Sequence, residues 1–227
     1  MKNHLKRIAS PRTWLINRKQ NKFTVRPKPG AHSLEQGLAL GIVVRDLLKL
    51  ASTMMEVKKL LNDQEILVDG KRRKDHRFIT GLFDVIAIPA LKKSFRVLLD
   101  AKGRIIVKET LAEESSLKPC KIVGKTVLSK GKIQFNLHDG KNLIGEYQAK
   151  VGDTLMLELP SLAVKEILVR DKGATVFLTK GKNAGSHGFL KEIKNTEAIL
   201  NLKGKEIETT KKYLFVIGKK ESAITLG

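Results

Sequence analysis

From Phe95 to Ile217 the chain is divided by turn signals at intervals of roughly 8–12 residues, a spacing that suits the short strands of a small barrel or sandwich. Phe95–Leu99 and Arg104–Lys108 flank Asp100-Ala101-Lys102-Gly103, a hairpin whose glycine takes the positive-φ position. Glu113 and Glu114 read as an exposed loop. Ile122-Val123, Val127-Leu128, Ile133–Leu137, Leu143-Ile144, Thr154–Leu159 and Ile167–Val169 follow as strands. Ala174–Thr179 and Gly188–Leu190 then enclose a basic glycine loop, Lys180-Gly181-Lys182-Asn183-Ala184-Gly185. Ile199–Leu202, Glu206–Thr209 and Tyr213–Ile217 close this last unit, and no internal repeat is evident.

Ahead of the β region, residues 41–89 mix helix and strand. Val43, Val44, Leu47, Leu48 and Ala51 recur at helical spacing and leave Arg45, Asp46 and Lys49 facing water. Thr53-Met54-Met55-Glu56 is a capping-box pattern, in which hydroxyl and carboxylate satisfy each other's backbone amides. The helix it opens has Met54, Val57, Leu60 and Leu61 on one side and Lys58 and Lys59 on the other. Ile66–Val68 reads as a strand, Asp69-Gly70 as a tight turn and Phe83–Ile88 as the returning strand. Between the strands lies a dense cationic loop, Lys71-Arg72-Arg73-Lys74-Asp75-His76-Arg77. Two small helices on a β-ribbon beside such a loop look like the α-L RNA-binding motif.

Lys and Arg number 44 against 23 Asp and Glu, a formal net charge of +21. Clustered cations repel one another and call for a polyanionic partner. The single cysteine, Cys120, excludes an intramolecular disulfide and zinc sites built on two or four cysteines. The histidines at 4, 32, 76, 138 and 187 lack ligand spacing, so no metal or cofactor is expected. His138 beside Asp139 invites a catalytic reading, but the adjoining Gly140 makes Asx-turn chemistry the simpler one. The glycine loop at 180–185 lacks the P-loop's terminal Lys-Ser/Thr pattern, so nucleotide hydrolysis does not follow. Charges interrupt the N-terminus before any apolar run of signal-peptide length. The most apolar stretch, 37–50, is broken by Arg45, Asp46 and Lys49. An intracellular, soluble protein with no membrane contact and no small-molecule substrate is the expectation.

Residues 1–30 carry nine basic residues and no acidic one: Lys2, Lys6, Arg7, Arg12, Arg18, Lys19, Lys22, Arg26 and Lys28. Pro11, Pro27 and Pro29 discourage a continuous helix, so the segment reads as an extended, mobile tail that orders on binding. Trp14, the only tryptophan, and Phe23 sit among these cations, which suits stacking on bases as well as packing on a folded domain.

The order of the residues is itself distinctive. His4, Lys6, Arg7, Pro11, Trp14 and Arg18, followed by Val25-Arg26-Pro27-Lys28-Pro29-Gly30, resemble the N-terminal signature of archaeal and eukaryotic small-subunit ribosomal proteins of class four-e. Gly131–Asn142 and Val151-Gly152-Asp153-Thr154-Leu155 are similar to that family's central domain, and Tyr213–Gly218 to its last strand. The loop at 180–185 between strands resembles a KOW element. Phe189 departs from the aliphatic residue usual there, which is expected to alter packing alone.

The resemblance implies an α+β, predominantly β fold in four parts. These are a basic extension at 1–40, an α-L motif at 41–89, a central small barrel at 90–170 and a KOW-type barrel with a short tail at 171–227. It implies a structural, non-enzymatic protein of the cytoplasmic ribosome, with small-subunit rRNA and neighbouring ribosomal proteins as partners. The expected rRNA contacts are Lys6, Arg7, Arg12, Trp14, Arg18, Lys19, Arg26 and Lys28, then Arg45, Lys58, Lys59, Lys71, Arg72, Arg73, Lys74 and Arg77, and finally Lys180 and Lys182. Two other readings compete. A pseudouridine-synthase-like enzyme with an α-L motif needs a catalytic aspartate, and the nearest match, Leu98-Leu99-Asp100, lacks the preceding arginine. A KOW-type elongation factor accounts for 173–218 and leaves the first 40 residues unexplained.

Overall fold

The structure is a computed structural model that describes residues 3–202, 204–219 and 221–226; Lys2 of the basic extension and the terminal Gly227 lie outside it. The chain divides into two compact units, Met1–Leu98 with Arg104–Ser116, and Leu99–Gly103 with Leu117–Gly227.

In the first unit, β1 (Leu5–Lys6) and β2 (Phe23–Thr24) pair antiparallel. β3 (Gly37–Ala39) leads into the short helix α1 (Leu40–Ile42), a π-helical turn over Val43–Leu47, and helix α2 (Met54–Asp63). Then come β4 (Leu67–Val68), β5 (Lys71–Arg72), β6 (Ile79–Gly81) and β7 (Val85–Ile88). They are followed by β8 (Lys93–Leu99), β9 (Ile105–Thr110) and the single helical turn α3 (Ala112–Ser115). β3 pairs with β6, and a five-stranded sheet runs in the order β5-β4-β7-β8-β9.

The basic N-terminal segment is folded, not a mobile tail. Trp14 is 2% exposed, and its indole N–H donates to the carbonyls of Gly37 (2.9 Å) and Leu34 (3.1 Å). A bridge to Ile105, whose N–H donates to the Thr13 carbonyl at 2.7 Å, ties the segment to β9. One large aromatic ring buries enough apolar area to hold a proline-rich segment that has no periodic apolar face.

The expected helix over 43–51 is also different. Leu40, Gly41, Ile42, Val43 and Val44 are all buried in succession, which no helix lying on a surface achieves. The chain passes through one α turn into the π turn, and Arg45 folds onto Asp46 at 2.7 and 2.9 Å with both residues half-buried. Gly41 is required here, since a Cβ would lie 3.0 Å from the His76 carbonyl oxygen and 2.9 Å from the Met54 sulfur. The cationic stretch does not begin as a loop. Asp69 and Gly70 both take positive φ (51° and 73°), and this tight turn folds Lys71–Arg72 back onto β4 as β5. The strand returning beside β4 is β7, delayed past Phe83, which itself sits at φ 67°.

The second unit holds two five-stranded sheets. One is built from β10 (Leu117–Val127), β11 (Ile133–Leu137), β12 (Asn142–Ile144), β13 (Thr154–Glu158) and β14 (Ala163–Leu168), in the order β12-β11-β10-β13-β14. The two short strands expected at 122–123 and 127–128 fall on one strand, β10, which ends at Val127 and whose register shifts between Ile122 and Gly124. Cys120, Ile122, Phe135, Leu137, Leu155 and Leu157 form its core, with Tyr147 packed on Phe135. The other sheet comprises β15 (Thr175–Leu178), β16 (His187–Lys194), β17 (Glu197–Leu202), β18 (Lys205–Thr210) and β19 (Leu214–Gly218), in the order β18-β17-β16-β15-β19. β19 ends this sheet yet is buried throughout, because it lies against β10, β13 and β14. Phe189 is 51% exposed on β16, so the departure at this position leaves the core untouched.

Candidate nucleic-acid interface

The cations of the first unit fall into two sets: those turned onto the protein's own carbonyls and those left at the surface. Arg7 is buried and donates to the carbonyls of Asn17 (2.6 Å) and Phe23 (3.3 Å). Arg18 donates to the carbonyls of Ile8, Ser10 and Pro11 at 3.1, 2.9 and 2.7 Å. Five guanidinium donors in a rigid fork suit this bracing of an irregular segment, which has few regular backbone bonds. Arg7 and Trp14 are therefore removed from the surface, and the reason is packing: both close the N-terminal segment on itself. Lys6, Arg12 and Lys19 remain exposed on it. Phe23 is also exposed, with the Lys22 ammonium 5.6 Å from its ring centre and the His4 ring 5.8 Å away.

Helix α2 is set by its cap. The Thr53 hydroxyl accepts from the Glu56 N–H at 3.2 Å, and the Glu56 carboxylate accepts from the Ser52 N–H at 2.8 Å. The Ser52 N–H first, then the Thr53 hydroxyl and N–H, hold the Glu56 carboxyl below its ordinary range. With Val57 and Leu61 buried, Lys58 and Lys59 point outward. Across from α2, Lys71, Arg72 and Lys74 are exposed, and Arg72 donates to the Asn62 carbonyl at 2.9 Å. Arg73 is half-buried with its guanidinium 4.3 Å from the centre of the Phe78 ring.

His76 reports the field these groups make. Its imidazole is held below the ordinary histidine value first by burial and next by the Lys58 charge, with Arg77 and Lys28 adding to both and Asp75 opposing them. Side chains from α2, from the 71–77 segment and from the N-terminal segment thus converge on one place. The backbone ties them together: the Lys28 N–H donates to the Arg77 carbonyl at 2.8 Å, and the Arg77 Nε donates to the Arg26 carbonyl at 3.0 Å. Burial alone would raise the Asp75 carboxyl, but its pairing with Lys28 and its bond from the Arg77 N–H outweigh burial and lower it. Arg45 stands apart, locked on Asp46, whose hydrogen bonds raise its pKa.

In the second unit Lys180 and Lys182 are exposed on the loop between β15 and β16. Its glycines answer to the protein. A Cβ on Gly185 (φ 84°) would lie 1.8 Å from the Asp100 carbonyl oxygen, so this position needs glycine for packing against the 99–103 turn. Asp100 belongs to that turn, its carboxylate accepting the Lys102 N–H at 2.9 Å.

One cluster escaped the sequence reading. Lys118, 0% exposed, places its ammonium 3.0 Å from the carboxylate of Asp139, which is 2% exposed and also 3.0 Å from the Lys141 ammonium. Asp139 accepts the Lys141 N–H at 3.3 Å, so the turn chemistry is present within an ion-paired core. Burial alone would raise the Asp139 carboxyl; Lys118, Lys141 and His138 overcome it and hold the group well below the carboxylate range. Cys120, His138 and Asp139 bring ligand-type atoms within 4.8 Å, but two ammonium groups already neutralise the carboxylate and leave it little attraction for a metal ion. No helix among the described residues is long and apolar enough to cross a membrane.

Comparisons with known proteins match this architecture. The model of the ribosomal family S4e matches residues 91–164, and the RS4NT domain matches residues 1–35. The small ribosomal subunit protein eS4 of Methanocella arvoryzae is 44% identical over 230 residues, covering 98% of this chain and 97% of that protein. Its counterpart in Archaeoglobus fulgidus is 43% identical over 225 residues, covering 96% of this chain and 94% of that protein. The crystal structure of the 30S ribosomal protein S4e from Thermoplasma acidophilum superposes with a TM-score of 0.72 at 29% identity, covering 82% of this chain and 98% of that one. With such identity sustained along almost its whole length, the chain belongs to the S4e family of ribosomal proteins.

Proposed function

We propose that the chain is a structural constituent of the small ribosomal subunit in the cytoplasm, bound to its rRNA and packed beside neighbouring ribosomal proteins. The role is structural and not enzymatic, in keeping with the family. The observation that carries the RNA interface is the set of exposed cations on one unit, Lys58 and Lys59 on α2 with Lys71, Arg72 and Lys74 on the segment that Arg72 ties to the end of that helix through the Asn62 carbonyl. Around this set, Arg77, Lys28, Arg26, Lys6, Arg12 and Lys19 extend the contact, and Lys180 and Lys182 give the second unit a smaller one. Residues 41–89 act as an α-L-type RNA-binding element and 171–227 as a KOW-type barrel; in chain order the extension at 1–40 comes first and a central β domain at 90–170 lies between the two. Lysines and arginines neutralise phosphates and release counterions, so affinity is set by salt. Asp100 as a hydrogen-bonded turn residue gives the synthase-like reading no reacting group, and the folded N-terminal segment belongs to no elongation-factor reading.

The test is binding to small-subunit rRNA across a salt series. Lys58→Gln, Lys71→Gln and Lys74→Gln together should flatten the log–log slope by roughly 0.7–0.9 for each phosphate no longer neutralised. An unchanged slope would remove these residues from the interface. Sedimentation of the protein with small subunits at moderately high salt should persist, and its release to the top of the gradient would argue for a transient factor.

A further inference from the structure

A cavity of about 230 Å³ lies in the first unit, and its lining combines the apolar Pro27, Pro29, Leu34 and Ile79 with the cationic Arg26, Lys28 and Arg77. The two kinds of lining ask for two kinds of ligand atom at once. Arg77 is fixed by the bond from its Nε to the Arg26 carbonyl at 3.0 Å, and its terminal nitrogens have no hydrogen-bond partner among the described residues. The Arg26 guanidinium likewise meets no acceptor there. Guanidinium groups only donate, so these half-buried donors select a ligand rich in acceptors, above all a phosphate. A free inorganic phosphate would leave the apolar lining without a partner.

The site is also stiff. His32, on its wall, is buried with Nε2 3.1 Å from both carboxylate oxygens of Asp84, and the Asp84 carboxylate also accepts the Gly81 N–H at 2.8 Å. A Cβ at Gly81 would sit 2.3 Å from the His32 ring, so the wall leaves no room to shift. A volume below the roughly 300–1,000 Å³ of pockets for drug-sized ligands suits one flat ring system and excludes a stacked pair.

We propose that this cavity receives a single unpaired nucleotide of the bound RNA, its base against Pro27, Pro29, Leu34 and Ile79 and its phosphate on Arg26 and Arg77. The inference rests on the RNA-binding function proposed above and adds to it a preference for a splayed-out base over a continuous helix.

Competition binding of the full chain to two RNA stems separates the two ideas. The stems match in length and charge, and one carries a single-nucleotide bulge. The wild-type chain should prefer the bulged stem by roughly tenfold, the scale of burying about 50–60 Å² of base surface against apolar side chains at about 25 cal/mol per Å². It should also protect the bulged base from chemical modification. Leu34→Trp, which fills the cavity from a partly exposed position, should erase the preference and keep affinity for the paired stem, with an unchanged thermal transition as the folding check. Equal binding of both stems by wild type, an unprotected bulge, or a preference that survives in a folded Leu34→Trp chain would each overturn the inference alone. Failure to bind either stem would remove the RNA-binding reading, and this inference with it.

Discussion

Lys118 and Lys58 are the same side chain in opposite circumstances. Lys118, in the second unit, is fully buried, and its ammonium lies 3.0 Å from the Asp139 carboxylate. Lys58, in the first unit, stands exposed on α2, has no ion-pair partner among the described residues, and makes itself felt by depressing His76. Both count equally toward the net charge of +21. The first holds a fold together and the second is available to a polyanion. The same division runs through the arginines, with Arg7 and Arg18 on internal carbonyls and Arg26 and Arg77 at a cavity. A charge excess locates a class of partner, and burial decides which cations serve it.

The comparison breaks first at Asp139. Asp139→Ala strands the Lys118 charge in the core, and losing one partner of a buried pair costs about 3–5 kcal/mol. Chemical denaturation should show that loss, while the RNA affinity of the folded fraction stays as it was. The acid limb carries the same information. Because the folded carboxyl lies below its unfolded value of about 3.9, its contribution is complete above that pH and is lost as pH falls below about 4. Asp139→Asn should flatten that part of the stability profile.

Removal of residues 1–19 comes next. A mobile tail would leave stability unchanged, whereas excising Trp14 from its buried site should cost a similar amount, since Trp→Ala changes in cores run at about 3–5 kcal/mol. Calorimetry of Trp14→Ala separates this packing from the loss of the basic residues. Lys121 gives a smaller, alkaline effect. Burial first, then Arg170, pushes its ammonium down to about 8 while it donates to the Lys212 and Leu214 carbonyls at 2.8 and 2.6 Å. The unfolded chain binds that proton more tightly, so stability should rise from about pH 8 toward the ordinary 10.5, and Lys121→Met should abolish the rise.

What the sequence discloses follows from the range of the forces involved. The capping box at Thr53 and Glu56, the Asp69-Gly70 turn and the hairpin at 100–103 are set by neighbours within a few residues, and each is present. The predominantly β architecture follows from turn spacing in the same way. The buried face of Trp14, the pairing of β10 with β13 and the Lys118–Asp139 pair depend on residues about 20 positions away or more. Lys118 in Leu117-Lys118-Pro119-Cys120 has nothing local to mark it as a core residue. The cationic cluster was legible as composition, but its centre was not. Lys28 and Arg77 are joined through the backbone across 49 positions, and α2 is tied to the 71–77 segment by the Arg72 bond to the Asn62 carbonyl, so the grouping depends on pairings no local pattern marks.

The smallest stability change sharpens the comparison most. Lys58→Gln removes an exposed charge from a helix that glutamine also favours, so stability should move by less than about 0.5 kcal/mol. Yet Lys58 is the leading charge holding His76 down, so the His76 pKa should rise in the variant when followed by NMR titration. RNA binding should weaken at low salt and converge with wild type at high salt, where screening erases the contact. A raised His76 pKa with unaltered RNA affinity would show that the field exists but that no phosphate enters it. An unaltered His76 pKa would mean that Lys58 points elsewhere in solution, and the outward cations would then have no common centre.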